Sequence, residues 1–420
     1  MVSKFMNLDE VAAQLQLGKE LQTGLALHWD LAAAARKPGP IDFLDPAEIR
    51  RCCAYARLQP EIAEQLIEIA RWVARDAALE ALAWNLHWAL VSGVDRVEFG
   101  HWPEDLPIPQ GRAGAWYLLV SLSIVPAVIA KHEELGIPAE VTRDTCLQLQ
   151  AFCGNHCIAK GESGILTPQL GWLRLYPAGE LYRIGRFEYR LCKPSFGVRA
   201  FRHRQRGEIV VIMPPGCHFS KEGFVVQADD PAATWKSALR EDDAAVYGMV
   251  ASPSGAALRG ERRLEKVQWE EVLGPRDVVV DLHIPAGGGM TPAACIDSFS
   301  RAFPFFEHHF SSQGAGAIYC HSWIFNTQLE ARLPDSNLAR LMRELYLFPV
   351  PSSGEDGLFF IYCRHYEDWQ RAPRETRLQR AVLDIIAAGK PLRSGGMLLF
   401  RDHLAHFGQQ YYRRRAVFTA

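Results

Sequence analysis

A strong net charge is the first feature that this 420-residue sequence lacks, because 46 Lys and Arg residues nearly balance 48 Asp and Glu residues. The three arginines at 413–415 form too short a basic run to change that balance. A nearly neutral chain has no global electrostatic attraction for nucleic acid or for an anionic membrane surface. We therefore expect no nucleic acid and no membrane among the partners.

A paired cysteine framework is also missing. The ten cysteines are scattered and no secretory leader precedes them, which indicates a reducing, cytoplasmic location. The nearest approach to a metal motif is CGNHC at residues 153–157, but no second pair of ligands follows at the spacing of a zinc site. Structural cysteines are the favoured interpretation, and no metal is predicted.

Long apolar runs and common catalytic fingerprints are absent as well. The most apolar run, Ala115–Ala130, is shorter than the ~20 residues that span a bilayer, and Pro126 interrupts it, so it predicts a buried helix. The phosphate-binding patterns G-x-x-x-x-G-K-[ST] and G-x-G-x-x-G do not occur. The nucleophile elbow G-x-S-x-G is missing too, which argues against a Ser/His hydrolase.

The predicted secondary structure differs between the two parts of the sequence. The pattern is helical up to about residue 155, with Asn7 and Glu10 at capping-box spacing. Short β-rich runs follow Gly154, and strands alternate with helices from Asp277 onward, whereas residues 221–276 carry few signals.

This order predicts an α+β, or mixed α/β, fold. We expect a helical N-terminal domain over residues 1–160 and a mixed-sheet domain over residues 161–420.

The segment DVVVDLHIPAGGGMTPAACIDSF, residues 277–299, predicts a strand, a glycine loop and a helix. A period of two places Asp281 and His283 on one face of the strand. Thr291 suits the N-cap, and the proline after it suits the first helical position. The glycines at 287–289 permit positive φ angles and the close approach of a ligand, so the loop is a candidate anion site, with a flexible turn as the alternative.

Several segments resemble a bacterial family of N-acyltransferases that have a helical N-terminal domain and a GNAT-like C-terminal domain. The resemblance covers most of the chain and is strongest over residues 171–400. It is carried by the segments LYRIGRFEYRL, HIPAGGGMTPAACIDSF, CHSWIFNTQLEARLPDSN, ELYLFPV, PRETRLQRAVLDIIAAG and LRSGGMLLF.

The resemblance implies acyl-CoA, either acetyl-CoA or a longer one, as the co-substrate. In GNAT enzymes one strand opens away from its neighbour to receive the pantetheine arm, and the following loop and helix N-terminus hold the pyrophosphate. The usual loop begins with Gln or Arg, and this loop does not. The implied CoA-binding residues are Ile284, Ala286, Gly287, Gly288, Gly289, Met290 and Thr291.

Acyl transfer to an amine requires a base for the amine proton and a donor for the departing thiolate. We predict His283 as the base, oriented by Asp281, and we include Ser322 among the catalytic candidates. A purely structural histidine is the alternative. Tyr319 and His321 are further candidates for the acid.

Four residues are candidates for contact with the acceptor. Arg186 and Glu188 share one strand face and could bind it, or could pair with each other. Trp323 and Asn337 belong to the SW and SN motifs of the family, with a core wedge as the alternative for the tryptophan.

The sequence therefore predicts an acyl-CoA-dependent N-acyltransferase that acts on the amine of a small molecule or peptide. The alternative is a non-catalytic sensor module that binds CoA or a nucleotide with the same fold. Turnover distinguishes the two.

Overall fold

A computed structural model describes residues 5–94, 97–108, 112–311 and 314–418. The chain forms two compact units, the first ending at Arg183 and the second beginning at Ile184. The division lies later than the predicted boundary at residue 160, because Ile165 and Leu170 continue the helical core of the first unit.

The first unit is helical. Its first helix has the capping box that the sequence predicts, since Asn7 Oδ1 accepts from Glu10 N at 2.9 Å and the Glu10 carboxylate accepts from Asn7 N at 3.0 Å. The helices are α1 (Leu8–Leu15), α2 (Lys19–Ala26), α3 (Trp29–Ala35), α4 (Pro46–Tyr55), α5 (Pro60–Val73), α6 (Ala77–Val91), α7 (Ala113–Leu122), α8 (Ile124–Glu134), α9 (Ala139–Cys146), α10 (Gln148–Lys160) and α11 (Leu170–Leu173).

The most apolar run forms α7 and α8, which meet at Ser123. Together they are long and apolar enough to cross a membrane by length and composition, but 78% of the most apolar window is buried inside the structure. Pro126 is tolerated in the first turn of α8, where backbone N–H groups have no partner within the helix. The predicted burial of this run is confirmed, in two helices and not one.

Buried His132 makes the stability of the first unit pH-dependent. Its Nδ1 lies 3.0 Å from Thr142 Oγ1, and among the described residues its Nε2 has no hydrogen-bond partner. Burial lowers the pKa of His132 to about 4.

Between pH 6.5 and 4 the unfolded chain binds a proton at His132 and the folded chain does not, so stability falls as the pH falls through this window. We expect the step from pH 7 to pH 5 to cost about 2 kcal/mol more in the wild type than in His132→Asn. Urea unfolding at the two pH values measures this, and equal losses in both proteins would contradict it.

The second unit is a mixed α/β structure. Its strands are β1 (Tyr182–Ile184), which crosses the division, β2 (Phe187–Cys192), β3 (Arg199–His203), β4 (Ile209–Ile212), β5 (His218–Phe219), β6 (Val225–Val226), β7 (Trp235–Lys236), β8 (Leu239–Glu241), β9 (Ala245–Gly248), β10 (Val250–Ser252), β11 (Ala256–Ala257), β12 (Arg262–Glu265), β13 (Trp269–Leu273), β14 (Val279–His283), β15 (Ala317–Ser322), β16 (Tyr346–Pro349) and β17 (Gly395–Phe400). Its helices are α12 (Pro292–His309), α13 (Thr327–Arg332), α14 (Asn337–Glu344), α15 (Leu358–Tyr362), α16 (Arg377–Ala387) and α17 (Tyr411–Arg414).

Within the described residues, a six-stranded sheet of order β1-β2-β14-β15-β17-β16 forms the centre of this unit. Strand β14 runs antiparallel to β2 and parallel to β15. Helix α12 packs on one face, where Phe187 stacks on Phe299 and Tyr189 Oη lies 2.8 Å from Ser298 Oγ. The predicted order of a helical region followed by a mixed sheet is confirmed.

Residues 221–276, which the sequence left unassigned, form short strands in three smaller sheets. Two other short segments were predicted wrongly. The short apolar runs GLFFIYC, residues 357–363, and GWLRLYP, residues 171–177, belong to the regions whose pattern predicts strands. The first contains the helical turn α15, and the second overlaps the end of α11. A short apolar run has no periodicity that separates a strand from one turn of helix.

Gly396 lies in the buried strand β17 directly against Phe348. A Cβ atom at this position would lie 2.1 Å from the Phe348 ring, so the strand or the ring would have to move. We expect Gly396→Ala to destabilise the unit by about 3 kcal/mol. Denaturant unfolding measures the change. The control is Gly316→Ala, whose Cβ would meet no atom within 4 Å, and equal stabilities of the two variants would refute the steric argument.

Candidate active site

The glycine loop joins β14 to α12 as the sequence predicts. Thr291 is the N-cap of α12, its Oγ1 accepts from Ala294 N at 3.3 Å, and Pro292 occupies the first helical position. Gly287 and Gly288 have φ angles of +79° and +67°, a left-handed conformation that side chains with a Cβ rarely adopt. The loop thus strongly favours glycine at both positions.

The loop is open on its outer side. A Cβ atom added at Gly287 would meet no atom within 4 Å, and one added at Gly288 would approach only Arg186, at 3.7 Å. Met290 is half-buried, whereas Ala286 and the glycines are exposed. A ligand could therefore approach the main chain of this loop closely.

Arg186 spans the glycine loop from the turn between β1 and β2. Its Nη1 donates to Pro285 O at 3.0 Å and its Nε donates to Gly289 O at 3.3 Å. The structure thus places this predicted acceptor-binding residue beside the predicted CoA-binding residues.

Strands β14 and β15 separate before they end. Their parallel pairing consists of Val280 with Ile318 and Asp281 with Tyr319, and beyond these pairs each strand continues without a partner in the other. Strand β14 reaches His283, and β15 reaches Ser322. The gap lies at the end of the sheet that leads into the glycine loop. The resemblance to GNAT enzymes predicts an opening between neighbouring strands, and the end of the β14–β15 pairing is the candidate position for it.

A polar cluster borders this gap on the face opposite α12. Asp281 Oδ2 lies 3.0 Å from His283 Nε2 and accepts from Arg190 Nε at 3.0 Å. Glu188, which is only 1% exposed, lies directly opposite His283 in the β2–β14 register. The predicted pairing of His283 with Asp281 is present, and the register adds two residues from β2.

The charge of Asp281 is stabilised by its neighbours. Burial alone would raise the pKa of its carboxyl group, but the neighbouring imidazole of His283 and the guanidinium of Arg190 outweigh burial, so the pKa lies below its ordinary value. Asp281 is therefore ionised at neutral pH and can orient the imidazole and stabilise an imidazolium. The side chain of His283 is 25% exposed, although its Nε2 atom is buried beside Asp281.

The two further acid candidates on β15 differ in environment. Tyr319 is buried and its Oη lies 3.1 Å from both Ser195 Oγ and Phe196 N, and burial raises its pKa to about 12. His321 remains exposed to solvent, although partial desolvation lowers its pKa. Of the two, His321 is better placed to exchange a proton near neutral pH.

The remaining predicted site residues are not joined to the cluster by the contacts of the described residues. Ser322 lies three residues beyond Tyr319, the register partner of Asp281, so its side chain is on the opposite face of β15. It caps a 3₁₀ helix, where its Oγ accepts from Ile324 N at 3.3 Å. Trp323 stacks on Phe360 and covers Gly357. Asn337 is the first residue of α14, behind the N-cap Ser336. Their predicted roles stay predictions.

Arg190 is the residue of this cluster that sequence reasoning did not select. The available signal was its position two residues after Glu188 on a predicted strand, which places both side chains on one face. Its partner Asp281 is 91 residues away in sequence, and strand pairing over such a separation cannot be read from local pattern.

Two family profiles match the chain. A GNAT-like C-terminal domain matches residues 181–398, which is more than half of the chain, and an N-acyltransferase N-terminal domain matches residues 47–179. The chain belongs to the family with the GNAT-like C-terminal domain. The acyltransferase prediction is confirmed at the level of the family, with the acceptor unidentified.

Solved acyltransferase structures share the fold of this GNAT-like chain. One is an acyltransferase in complex with CoA and 10C-teicoplanin, and another is a mutant acyltransferase in complex with octanoyl-CoA, each with 23% identity and a TM-score of 0.65. A third, in complex with decanoyl-CoA and teicoplanin, has 24% identity and a TM-score of 0.64. Each comparison covers 94% of this chain and 99% of the other. No curated protein matches the sequence significantly.

Within the described residues of the GNAT-like chain, no group of three or more His, Cys, Asp or Glu side chains is arranged to hold a metal ion. The cysteine of CGNHC that remains exposed is Cys157, whereas Cys153 is buried.

Proposed function

We propose that this chain transfers an acyl group from acyl-CoA to an amine of a small molecule or peptide-like acceptor. The observation that carries the proposal is the gap between β14 and β15, which opens beside His283 and leads into the glycine loop. The gap suits the pantetheine arm, and the loop with the N-terminus of α12 suits the pyrophosphate.

The polar cluster supplies the acid–base chemistry. The amine attacks the thioester carbonyl, and His283 accepts the amine proton while Asp281, 3.0 Å away, stabilises the imidazolium. Arg190 keeps Asp281 in its charged form. The lowered pKa of His321 leaves its imidazole mostly neutral near pH 7, so it can serve the thiolate only by relaying a proton from solvent. Tyr319, whose pKa is raised to about 12, holds its proton more tightly still.

Donor and acceptor classes are suggested by the structural neighbours. These proteins bind octanoyl-CoA, decanoyl-CoA and teicoplanin, which supports a medium-length acyl group and a large amine-bearing acceptor for this chain. A cytoplasmic location, where acyl-CoA is present, is part of the proposal.

The test is a turnover screen. Acetyl-, octanoyl- and decanoyl-CoA are incubated with teicoplanin and with a panel of amino sugars and peptides, CoA release is followed with a thiol reagent, and products are identified by mass. An acceptor heavier by one acyl group supports the proposal. Tight binding of acyl-CoA with no acylated product from any amine would favour the sensor alternative.

A further inference from the structure

Arg186 is held against the glycine loop by both ends of that loop. One of its donors binds the carbonyl oxygen of Pro285, before the glycines, and another binds that of Gly289, after the first two. The two glycines with positive φ, Gly287 and Gly288, lie between these carbonyls. The guanidinium thus fixes the span of the loop while it brings a permanent positive charge to it.

No basic residue stands in the loop itself. Residues 284–291 read IPAGGGMT, and the first basic residue of α12 is Arg301, in the third turn of the helix, where it pairs with Asp297. The positive charge beside the N-terminus of α12 therefore comes from Arg186, in the turn between β1 and β2. Arg186 acts on the first turn of α12, because its charge lowers the pKa of the Cys295 thiol, although burial has the larger effect and raises that pKa to about 11.

We propose that Arg186 supplies the cation of the pyrophosphate site, in place of the basic or amide residue that the loop lacks. This inference rests on the proposed function, since it assumes that acyl-CoA is the ligand. The guanidinium would neutralise part of the pyrophosphate charge and would hold the loop amides at the correct span. Arg186 is thus assigned to the donor side of the site and not to the acceptor.

This role predicts that replacement of Arg186 weakens the binding only of ligands that contain a pyrophosphate. Arg186→Met keeps the aliphatic stem but removes the charge and both donors, so we expect it to bind octanoyl-CoA about 10- to 100-fold more weakly. Octanoyl-pantetheine, which has no pyrophosphate, should bind the wild type and Arg186→Met equally. Arg186→Lys keeps the charge but cannot bind both carbonyl oxygens, so its affinity for octanoyl-CoA should lie between those of the wild type and Arg186→Met.

Isothermal titration calorimetry of the full chain at two salt concentrations measures these affinities. The salt dependence for octanoyl-CoA should be weaker in Arg186→Met, because one charge interaction is gone. The matched control is Arg240→Met, which removes an arginine that pairs with Glu261 on the surface of another sheet and should bind as the wild type does.

The possible outcomes separate this inference from the proposed function. If the wild type binds octanoyl-CoA and Arg186→Met binds it equally well, the role of Arg186 is wrong and the donor assignment stands. Equal losses for octanoyl-CoA and octanoyl-pantetheine would also overturn it, because the effect would then not depend on the pyrophosphate. If the wild type binds no acyl-CoA, the donor assignment fails first and the role of Arg186 fails with it.

Discussion

Alanine at position 283 is expected to lower acyl transfer by about 10²- to 10⁴-fold, the usual contribution of a positioned general base. His283 Nε2 lies 3.0 Å from Asp281 Oδ2, beside the gap between β14 and β15. The affinity for octanoyl-CoA should change little, since a base acts in the transition state. Stopped-flow turnover with octanoyl-CoA and the best acceptor from the screen, together with calorimetry of donor binding, measures both quantities.

Three further variants define the role of His283. Asp281→Asn should lower turnover less than His283→Ala, because it leaves the imidazole in place without its carboxylate. Glu188→Gln tests the buried residue opposite His283 in the register. His321→Ala on the neighbouring strand should affect only protonation of the thiolate. Wild-type turnover in His283→Ala would place the base elsewhere.

The connection from β14 to α12 was predictable because its signals are local. The alternation of Asp281 and His283, the glycine run and the Thr291 cap are all read within 20 residues, and each is found where the pattern places it. Local pattern also predicted the alternating strands and helices that follow, except for the helical turn α15. The order of most elements after Asp277 was therefore accessible from the sequence, whereas the short strands of residues 221–276 were not.

The contacts that complete the candidate site are not local. Arg186 reaches a loop about 100 residues later, and Glu188 meets His283 only because β2 pairs with β14 in one particular register. A shift of that register by one residue would turn Glu188 to the other face of the sheet. Propensity and periodicity carry no information on which of several strands will pair, so neither the contacts of Arg186 with the loop nor the position of Glu188 opposite His283 could be read from the sequence.

Gly288→Val should weaken octanoyl-CoA binding by about 100-fold or more. Gly288 has a φ of +67°, which costs residues with a Cβ atom about 1–2 kcal/mol and β-branched residues more. The exposed loop can relieve this strain by changing its shape, so the fold should persist while the ligand surface is lost. Calorimetry with octanoyl-CoA and a circular dichroism melt measure binding and folding separately.

Strain and steric blocking by the new side chain can be separated with two further variants. Gly389 has a φ of +66° in the C-terminal cap of α16, and its Cβ atom would meet nothing within 4 Å, so Gly389→Val carries the same backbone strain away from the loop. It should lower the melting temperature about as much as Gly288→Val and leave binding intact. Asparagine tolerates the left-handed conformation, so Gly288→Asn keeps the backbone and adds only a side chain.

Loss of binding in Gly288→Asn would show that the ligand lies against the main chain at Gly288, as a pyrophosphate held by backbone amides requires. Binding retained in Gly288→Asn but lost in Gly288→Val would show that the left-handed turn itself is what the ligand needs, because it sets the positions of the carbonyls that hold Arg186. Wild-type affinity in a folded Gly288→Val would exclude both, since neither a crowded main chain nor a reshaped loop could leave the pyrophosphate contacts unchanged. The glycine loop would then be only a connection between β14 and α12, and the phosphate groups of acyl-CoA would have to bind elsewhere on the chain.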